Sequence, residues 1–217
     1  MLESKKQEKW SEPLLMKTFG LQKYYETYPL LDEWLNTESS FNESELELMN
    51  NLRIRLMVNV NTWNEEELKM NFIALLLNIL VNYQSDKYNT YFEKEISAHV
   101  EGHFLKTRTD FMIAKGILNM VENPYLCFHE YKATKKNPED PITQVLLGML
   151  IAQATNDNDK PIYGVYNIGR EWYFMVLEQR KYAVSKLYDS TQLSDLKEIV
   201  SILRKFKIII EEKLLVN

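Results

Sequence analysis

A short apolar stretch near the middle of the chain ends in two charged residues. Residues 124–133 read Pro-Tyr-Leu-Cys-Phe-His-Glu-Tyr-Lys-Ala, a pattern that predicts a short buried strand after a proline break. Side chains two apart on a strand point to the same face. One face is therefore expected to carry Leu126, Phe128, Glu130 and Lys132. A carboxylate beside an ammonium at a strand end is either a simple ion pair or part of a site, and the neighbouring elements decide between the two.

Two further strands are predicted upstream. Residues 91–100 alternate between apolar and polar, residues 101–102 (Glu-Gly) suit a turn, and residues 104–114 resume a strand. Asp110 lies in this second strand among apolar neighbours. Burying a carboxylate costs free energy unless its charge is compensated. A divalent cation shared with Glu130 would compensate it.

A helix is predicted downstream, over residues 140–153. Asp140 suits the N-cap position and Pro141 the first helical position, and an apolar run follows them. Gln144 falls in the first turn, at the end of the helix that follows the Glu130 strand.

The order of these residues resembles the PD-(D/E)XK nuclease superfamily, which has the restriction-endonuclease-like fold. Asp110 corresponds to the first acid of the motif, and Glu130 and Lys132 correspond to its (D/E)-x-K pair. Gln144 corresponds to a polar residue found after that pair in several branches. Thr109 stands before the acid where the family name implies proline, which weakens the motif without removing its charges. The resemblance extends over roughly residues 65–184.

The resemblance implies metal-dependent hydrolysis of phosphodiester bonds in nucleic acid, preferably DNA. Asp110 and Glu130, with the carbonyl of Tyr131, would hold Mg²⁺ or Mn²⁺, which prefer oxygen ligands. Lys132 would hold the attacking water or stabilise the charge of the transition state. Gln144 would orient water or a backbone phosphate.

A capped helix precedes the predicted strands. Residues 64–81 begin with Asn64 and three glutamates, which compensate the helix dipole, and continue with a wide apolar face. In the family that this chain resembles, a helix at this place often contributes an acid near the metal. Glu67 is the candidate because it lies one position before the apolar face begins, and Glu66 is the alternative.

Composition predicts a globular protein of the cytoplasm. The 217 residues are 45% hydrophobic and 26% charged, which suits a folded domain with a substantial core. The single cysteine, Cys127, cannot form an internal disulfide, and its apolar strand favours a buried thiol in a reducing compartment. The N-terminus is too polar for a signal peptide, and no apolar run has the length of a membrane span, so no membrane partner is expected.

The net charge of −5 argues against a protein that coats nucleic acid, because such proteins carry a basic balance. It does not exclude a nuclease, since phosphate contact needs only a local basic surface. The residues available for such a surface are Lys106, Arg108, Lys132, Lys135 and Lys136. For Lys135 and Lys136 a solvated loop is an equal alternative.

The remaining elements predict an α/β (mixed α+β) fold, a central mixed sheet flanked by helices. Residues 1–60 are expected to form a helical extension packed on the core, with interruptions at Gly20 and Pro29 and a helix over 45–58, although residues 53–60 also alternate like a strand. Residues 61–217 would form the nuclease-like domain. Its later part contains a hairpin over 161–177, a short extended piece over 180–188 and a C-terminal helix capped by Ser194.

Two other functions fit the same pattern. In the first, the fold is that of the nucleases but the protein does not cleave, and the acid and the lysine survive as an ion pair in a binding or protein-interaction module. In the second, the terminal helices dominate and the protein is an interaction domain with a small sheet. A homodimer is expected if both strands of a duplex are cut with one site per chain.

Overall fold

The computed structural model of the protein describes residues 9–25, 27–133 and 140–216. These residues form one mixed sheet of eight strands with helices on both faces, which confirms the predicted α/β class. The strands are β1 (Gln22–Tyr24), β2 (Asn89–Val100), β3 (His103–Ile117), β4 (Met120–Lys132), β5 (Ile162–Ile168), β6 (Glu171–Glu178), β7 (Lys181–Val184) and β8 (Tyr188–Asp189).

The strand order across the sheet is β1-β7-β6-β5-β4-β3-β2, and β8 pairs with β6. β1 is parallel to β7 and β4 is parallel to β5, whereas the other neighbours are antiparallel. The parallel step from β4 to β5 requires a crossover, and a helix supplies it. The N-terminal segment contributes β1 to the sheet edge, and the division at residue 60 remains a prediction.

The helices are α1 (Glu12–Phe19), α2 (Pro29–Leu35), α3 (Glu43–Asn59), α4 (Glu65–Leu68), α5 (Pro141–Thr155) and α6 (Leu193–Ile209). α4 continues into two π-helical segments, Lys69–Ile73 and Leu76–Val81, and α6 continues into a third, Ile210–Leu214. Gly20 ends α1 in the left-handed conformation with φ of 62°, and Pro29 begins α2, so both predicted interruptions are confirmed.

One local prediction, that of a helix, is confirmed, and another, that of a helix cap, is wrong. The alternation over residues 53–60 belongs to helix α3, which begins with a capping box formed by Asn42 and Glu45. The predicted cap of the C-terminal helix is wrong, because Gln192 is the N-cap and Ser194 lies inside α6.

Each face of the sheet has its own hydrophobic core. α5 covers one face and packs on a core that includes Met112, Phe128, Val145, Met149 and Met175. α2, α6 and the helix that starts at Glu65 cover the other face, with a core that includes Trp34, Phe72, Phe111, Phe174 and Phe206. The approach of α5 to β5 is close, since a Cβ on Gly164 would lie 2.4 Å from Val145 Cγ1.

A β-bulge changes the predicted facing of the central strand. Ile113 lies opposite Cys127 and Ala114 lies opposite Tyr125, so the register skips Leu126. Leu126 therefore belongs to the same core as Cys127, while Phe128 belongs to the core under α5. The expected common face is wrong for Leu126. Cys127 itself is a buried free thiol, as predicted.

Within the described ranges, no helix combines the length and the apolar character that crossing a membrane requires.

Candidate active site

The site lies where β3 and β4 stop pairing with each other. Their antiparallel register ends at the pair Phe111 and His129, and the next positions along the two strands are Asp110 and Glu130. On its other side β3 pairs with β2, with Phe92 opposite Phe111 and Lys94 opposite Thr109, so Glu93 falls level with Asp110 between these two pairs. Three acidic residues thus lie in one row across three neighbouring strands.

Asp110 uses both of its carboxylate oxygens. Oδ1 accepts a hydrogen bond from Lys69 Nζ at 2.6 Å, and Oδ2 accepts one from the backbone N–H of Tyr131 at 2.7 Å. The side chain is only 9% exposed. Burial raises the pKa of Asp110, and the hydrogen bonds from Lys69 and Tyr131 offset this in part.

Glu130 is the most deeply buried acid of the site, at 1% exposure. Burial, followed by the charge of Asp110 and a hydrogen bond with it, raises the pKa of Glu130 well above its usual value, although Lys132 acts in the opposite direction. Its Oε1 atom is buried and has no hydrogen-bond partner among the residues that the structure describes. Glu130 therefore keeps its proton to a higher pH than an ordinary glutamate does, and one of its oxygens is left unsatisfied.

Lys132 lies two positions further along β4 and is 4% exposed. Its Nζ is 3.6 Å from Glu65 Oε2. β4 thus carries a buried carboxyl group and a buried ammonium, and they meet Asp110 where the pairing of β3 with β4 ends, which is midway along β3.

A second lysine lies among these acids. Lys69 Nζ is 2.6 Å from Asp110 Oδ1, 3.0 Å from Glu65 Oε1 and 3.1 Å from Glu93 Oε1. Burial alone would lower the pKa of Lys69, but the hydrogen bonds and the charges of these carboxylates outweigh it and raise the pKa. The ammonium is therefore firmly protonated and neutralises much of the negative charge of the site.

Glu93 has a backbone φ of 52°, which lies in the left-handed region that residues other than glycine rarely adopt. Its second oxygen, Oε2, is 3.0 Å from Arg108 Nε. Burial would raise the pKa of Glu93, but Lys69 and Arg108 together lower it, so this carboxylate is ionised.

The helix contributes Glu65 to the site, and Glu67 lies outside it. Glu67 forms a capping box with Asn64: its N–H donates to Asn64 Oδ1 at 2.9 Å, and its Oε2 accepts from the Asn64 N–H at 2.8 Å. Glu66, the alternative candidate, is 76% exposed and lies 3.6 Å from Lys69 Nζ. Glu65 and Lys69 are four positions apart and so share one side of the helix. That i,i+4 spacing is the signal in the sequence from which Glu65 and Lys69 could have been identified.

The two remaining predicted site residues, Gln144 and Tyr131, lie on different elements, α5 and β4. Gln144 lies in the first turn of α5, with a buried Oε1 that lacks a hydrogen-bond partner. In the part of the chain that the structure describes, no hydrogen bond joins it to Asp110 or Glu130. The backbone of Tyr131 reaches Asp110 through its N–H, and its phenol oxygen lies 2.7 Å from His129 Nδ1.

The predicted basic surface is largely paired with acids. Lys106 Nζ is 2.8 Å from Glu95 Oε1, and Arg108 contacts Glu93. Lys135 and Lys136 lie outside the described residues.

The carboxylate oxygens of the site provide some, but not all, of the ligands that a divalent cation needs. Among the described residues, no three His, Cys, Asp or Glu side chains form a ready metal-binding group, and the Lys69 ammonium lies between Asp110 and Glu65. Mg²⁺, however, is commonly held by only one or two carboxylates, with water and substrate phosphate completing its shell. Asp110 and Glu130, with the unsatisfied Oε1 of Glu130, match that requirement.

Comparison of the chain with protein-family models and with curated proteins found no match. A fold by itself does not define a function, so the function is inferred from the chemistry of these side chains.

Proposed function

We propose that the protein is a metal-dependent nuclease with the site of the PD-(D/E)XK superfamily and its restriction-endonuclease-like fold. The observation that supports this most is the contact between two buried carboxyl groups, Asp110 and Glu130, beside the buried ammonium of Lys132. Clusters of buried titratable groups with raised pKa values are typical of active sites. The substrate is a phosphodiester of nucleic acid, and DNA is the first candidate.

Asp110 and Glu130 would hold Mg²⁺ or Mn²⁺, with the Tyr131 carbonyl as a further oxygen donor. When bound, the cation supplies a water of lowered pKa and positive charge for the phosphate oxygens. Because the pKa of Glu130 is raised in the metal-free protein, a metal ion competes with a proton for this carboxylate.

Lys132 would act on the reacting atoms. Its ammonium is buried, 3.6 Å from Glu65 Oε2, and it would bind the attacking water or a phosphate oxygen when the substrate is present. A donor fixed in a site that excludes bulk water stabilises developing negative charge more strongly than one in solvent. Gln144 is assigned to orienting water or phosphate through its side-chain amide.

The test is cleavage of labelled single-stranded and double-stranded DNA and RNA in Mg²⁺, in Mn²⁺ and in EDTA. Cleavage should require the metal and should be lost in Asp110→Asn and in Lys132→Met. Glu95→Gln is the matched control, because Glu95 lies on the neighbouring strand β2, is 60% exposed and pairs with Lys106, away from Asp110 and Lys132. Unchanged cleavage in either site variant would refute the assignment.

A binding module without cleavage activity is the second candidate. It is favoured by Lys69, which already neutralises the acids in the absence of any metal. Titration calorimetry with Mn²⁺ separates the two functions. An inert ion-pair cluster takes up no divalent cation, whereas a nuclease site takes up at least one per chain.

A cytoplasmic location and a homodimer complete the proposal. The single buried thiol of Cys127 fits a reducing compartment. Two copies, each with one site, would cut the two strands of a duplex.

A further inference from the structure

We propose that the Lys69 ammonium is the resident cation of this site and that a divalent cation binds by displacing it. The inference rests on the nuclease proposal for the identity of the incoming cation, Mg²⁺ or Mn²⁺. It concerns a residue outside the Asp110, Glu130 and Lys132 motif.

The geometry makes the two cations compete for Asp110. Both oxygens of Asp110 are already in use, Oδ1 by Lys69 and Oδ2 by the N–H of Tyr131. Each oxygen keeps a second lone pair, but a metal ion on Asp110, with bonds of about 2.1 Å, would lie within a few ångströms of the Lys69 ammonium, and the two positive charges would repel each other strongly in this buried site. The hydrogen bond between Glu130 and Asp110 involves a proton that metal binding removes. The Tyr131 N–H is uncharged and fixed in the backbone of β4, so Lys69 is the donor that the metal expels.

The surroundings of Lys69 are those of a cation site. Its Nζ lies within 3.1 Å of one oxygen each from Asp110, Glu65 and Glu93, which come from a helix and two strands. An ammonium offers three N–H donors and can satisfy three such acceptors at once. Lys69 therefore prevents the acids from repelling one another while no metal is present.

The chain also allows the ammonium to leave. Lys69 is 15% exposed, has a flexible four-carbon stem and is the first residue of a π-helical segment, a local distortion that is frequent at functional sites. Glu66 lies 3.6 Å from Lys69 Nζ and is 76% exposed, so it offers a carboxylate nearer to solvent. After the displacement, Glu65 and Glu93 remain beside the metal as acids that no longer bind Lys69.

The first experiment compares Mn²⁺ affinity by titration calorimetry at constant ionic strength. Lys69→Met keeps the apolar stem and removes the competing charge, so it should bind Mn²⁺ at least tenfold more tightly than the unmodified protein. Lys106→Met is the matched control, since it removes an ammonium from an exposed pair with Glu95 and should leave the affinity unchanged. Asp110→Asn should abolish uptake with either residue at position 69.

A second measurement needs no substitution and so does not depend on the folding of a variant. Lysines of the unmodified protein are labelled with a trace of acetic anhydride and quantified by mass spectrometry. Lys69 should be protected without metal, and its labelling relative to Lys106 should rise severalfold when Mg²⁺ is added.

The outcomes separate this inference from the nuclease proposal. Equal Mn²⁺ affinity in Lys69→Met and the unmodified protein, with unchanged labelling, would overturn the displacement and leave the nuclease proposal standing. Tighter binding without any cleavage would support the displacement and refute the nuclease. No Mn²⁺ uptake by either protein would overturn both.

Discussion

Replacing Glu130 by glutamine should stabilise the metal-free protein at neutral pH. Glu130 is almost completely buried beside Asp110, and one of its oxygens has no partner. Ionising it in that place is costly, whereas glutamine has nearly the same shape and no charge to bury.

The direction and the size of this change in stability follow from the linkage between folding and protonation. The pKa of Glu130 in the folded protein lies well above its ordinary value of 4.5, so the folded state binds the proton more tightly than the unfolded chain. Stability is therefore fully present below pH 4.5 and falls as the pH rises towards the folded pKa, by about 1.4 kcal/mol for each pH unit. Glu130→Gln lacks this loss, so its advantage in stability should grow as the pH rises above 4.5, by up to about 1.4 kcal/mol for each pH unit. For a chain of this size that corresponds to roughly 3–5 °C in Tm.

The assay is urea unfolding in EDTA, followed by the fluorescence of the four tryptophans, at several pH values from 4.5 to 7. Glu95→Gln, an exposed acid of the same sheet, should follow the unmodified protein at every pH. Parallel stability curves for Glu130→Gln and the unmodified protein would show that the reasoning about burial is wrong. In a parallel series without EDTA, Mg²⁺ at a hundred times its Kd should stabilise the unmodified protein by about 2.7 kcal/mol and should not stabilise Glu130→Gln.

Three other predictions concern stability. Burial lowers the pKa of His129 to about 3, so stability should be lost as the pH falls below 6.5, and His129→Asn should flatten that slope by about 1.4 kcal/mol per pH unit in urea unfolding between pH 4 and 6. Gly164→Ala should cost roughly 1–3 kcal/mol in calorimetric unfolding, because the new Cβ would lie 2.4 Å from Val145 Cγ1, and an unchanged Tm would contradict this close packing. Asn64→Ala should cost about 1 kcal/mol in urea unfolding through loss of the capping box, and a fully retained midpoint would argue against that cap.

The order of helices and strands could be predicted because its signals are local. Asn64, Pro29 and Gly20 mark helix ends through their own backbone and side-chain chemistry. The alternation and the turn at residues 101–102 predicted that β2 and β3 form a hairpin. The close approach of Asp110 and Glu130 followed from placing both on adjacent strands.

Local pattern failed where a neighbouring strand or a competing hydrogen bond decided the outcome. The bulge opposite Ile113 moves Leu126 to the other face, and nothing in the alternation of residues 124–133 marks it. Glu67 was chosen by its position next to the apolar face, but its side chain satisfies the free N–H of Asn64. Glu65, one turn before Lys69, occupies the site in its place.

The amino-acid sequence by itself determined the fold class, the helix boundaries at Gly20, Pro29 and Asn64 and the charged residues carried by β3 and β4, because each depends on periodicity or on neighbours within a few residues. Only the tertiary structure decided that the Lys69 ammonium contacts those acids. Lys69 is 24 residues from Glu93 and 41 from Asp110 along the chain, so their contact depends on how the helix packs on the sheet and on the register of β2 with β3. Since burial and opposite charge act through space, the raised pKa of Glu130 and the contacts of Lys69 with the acids arise only once those elements have packed together.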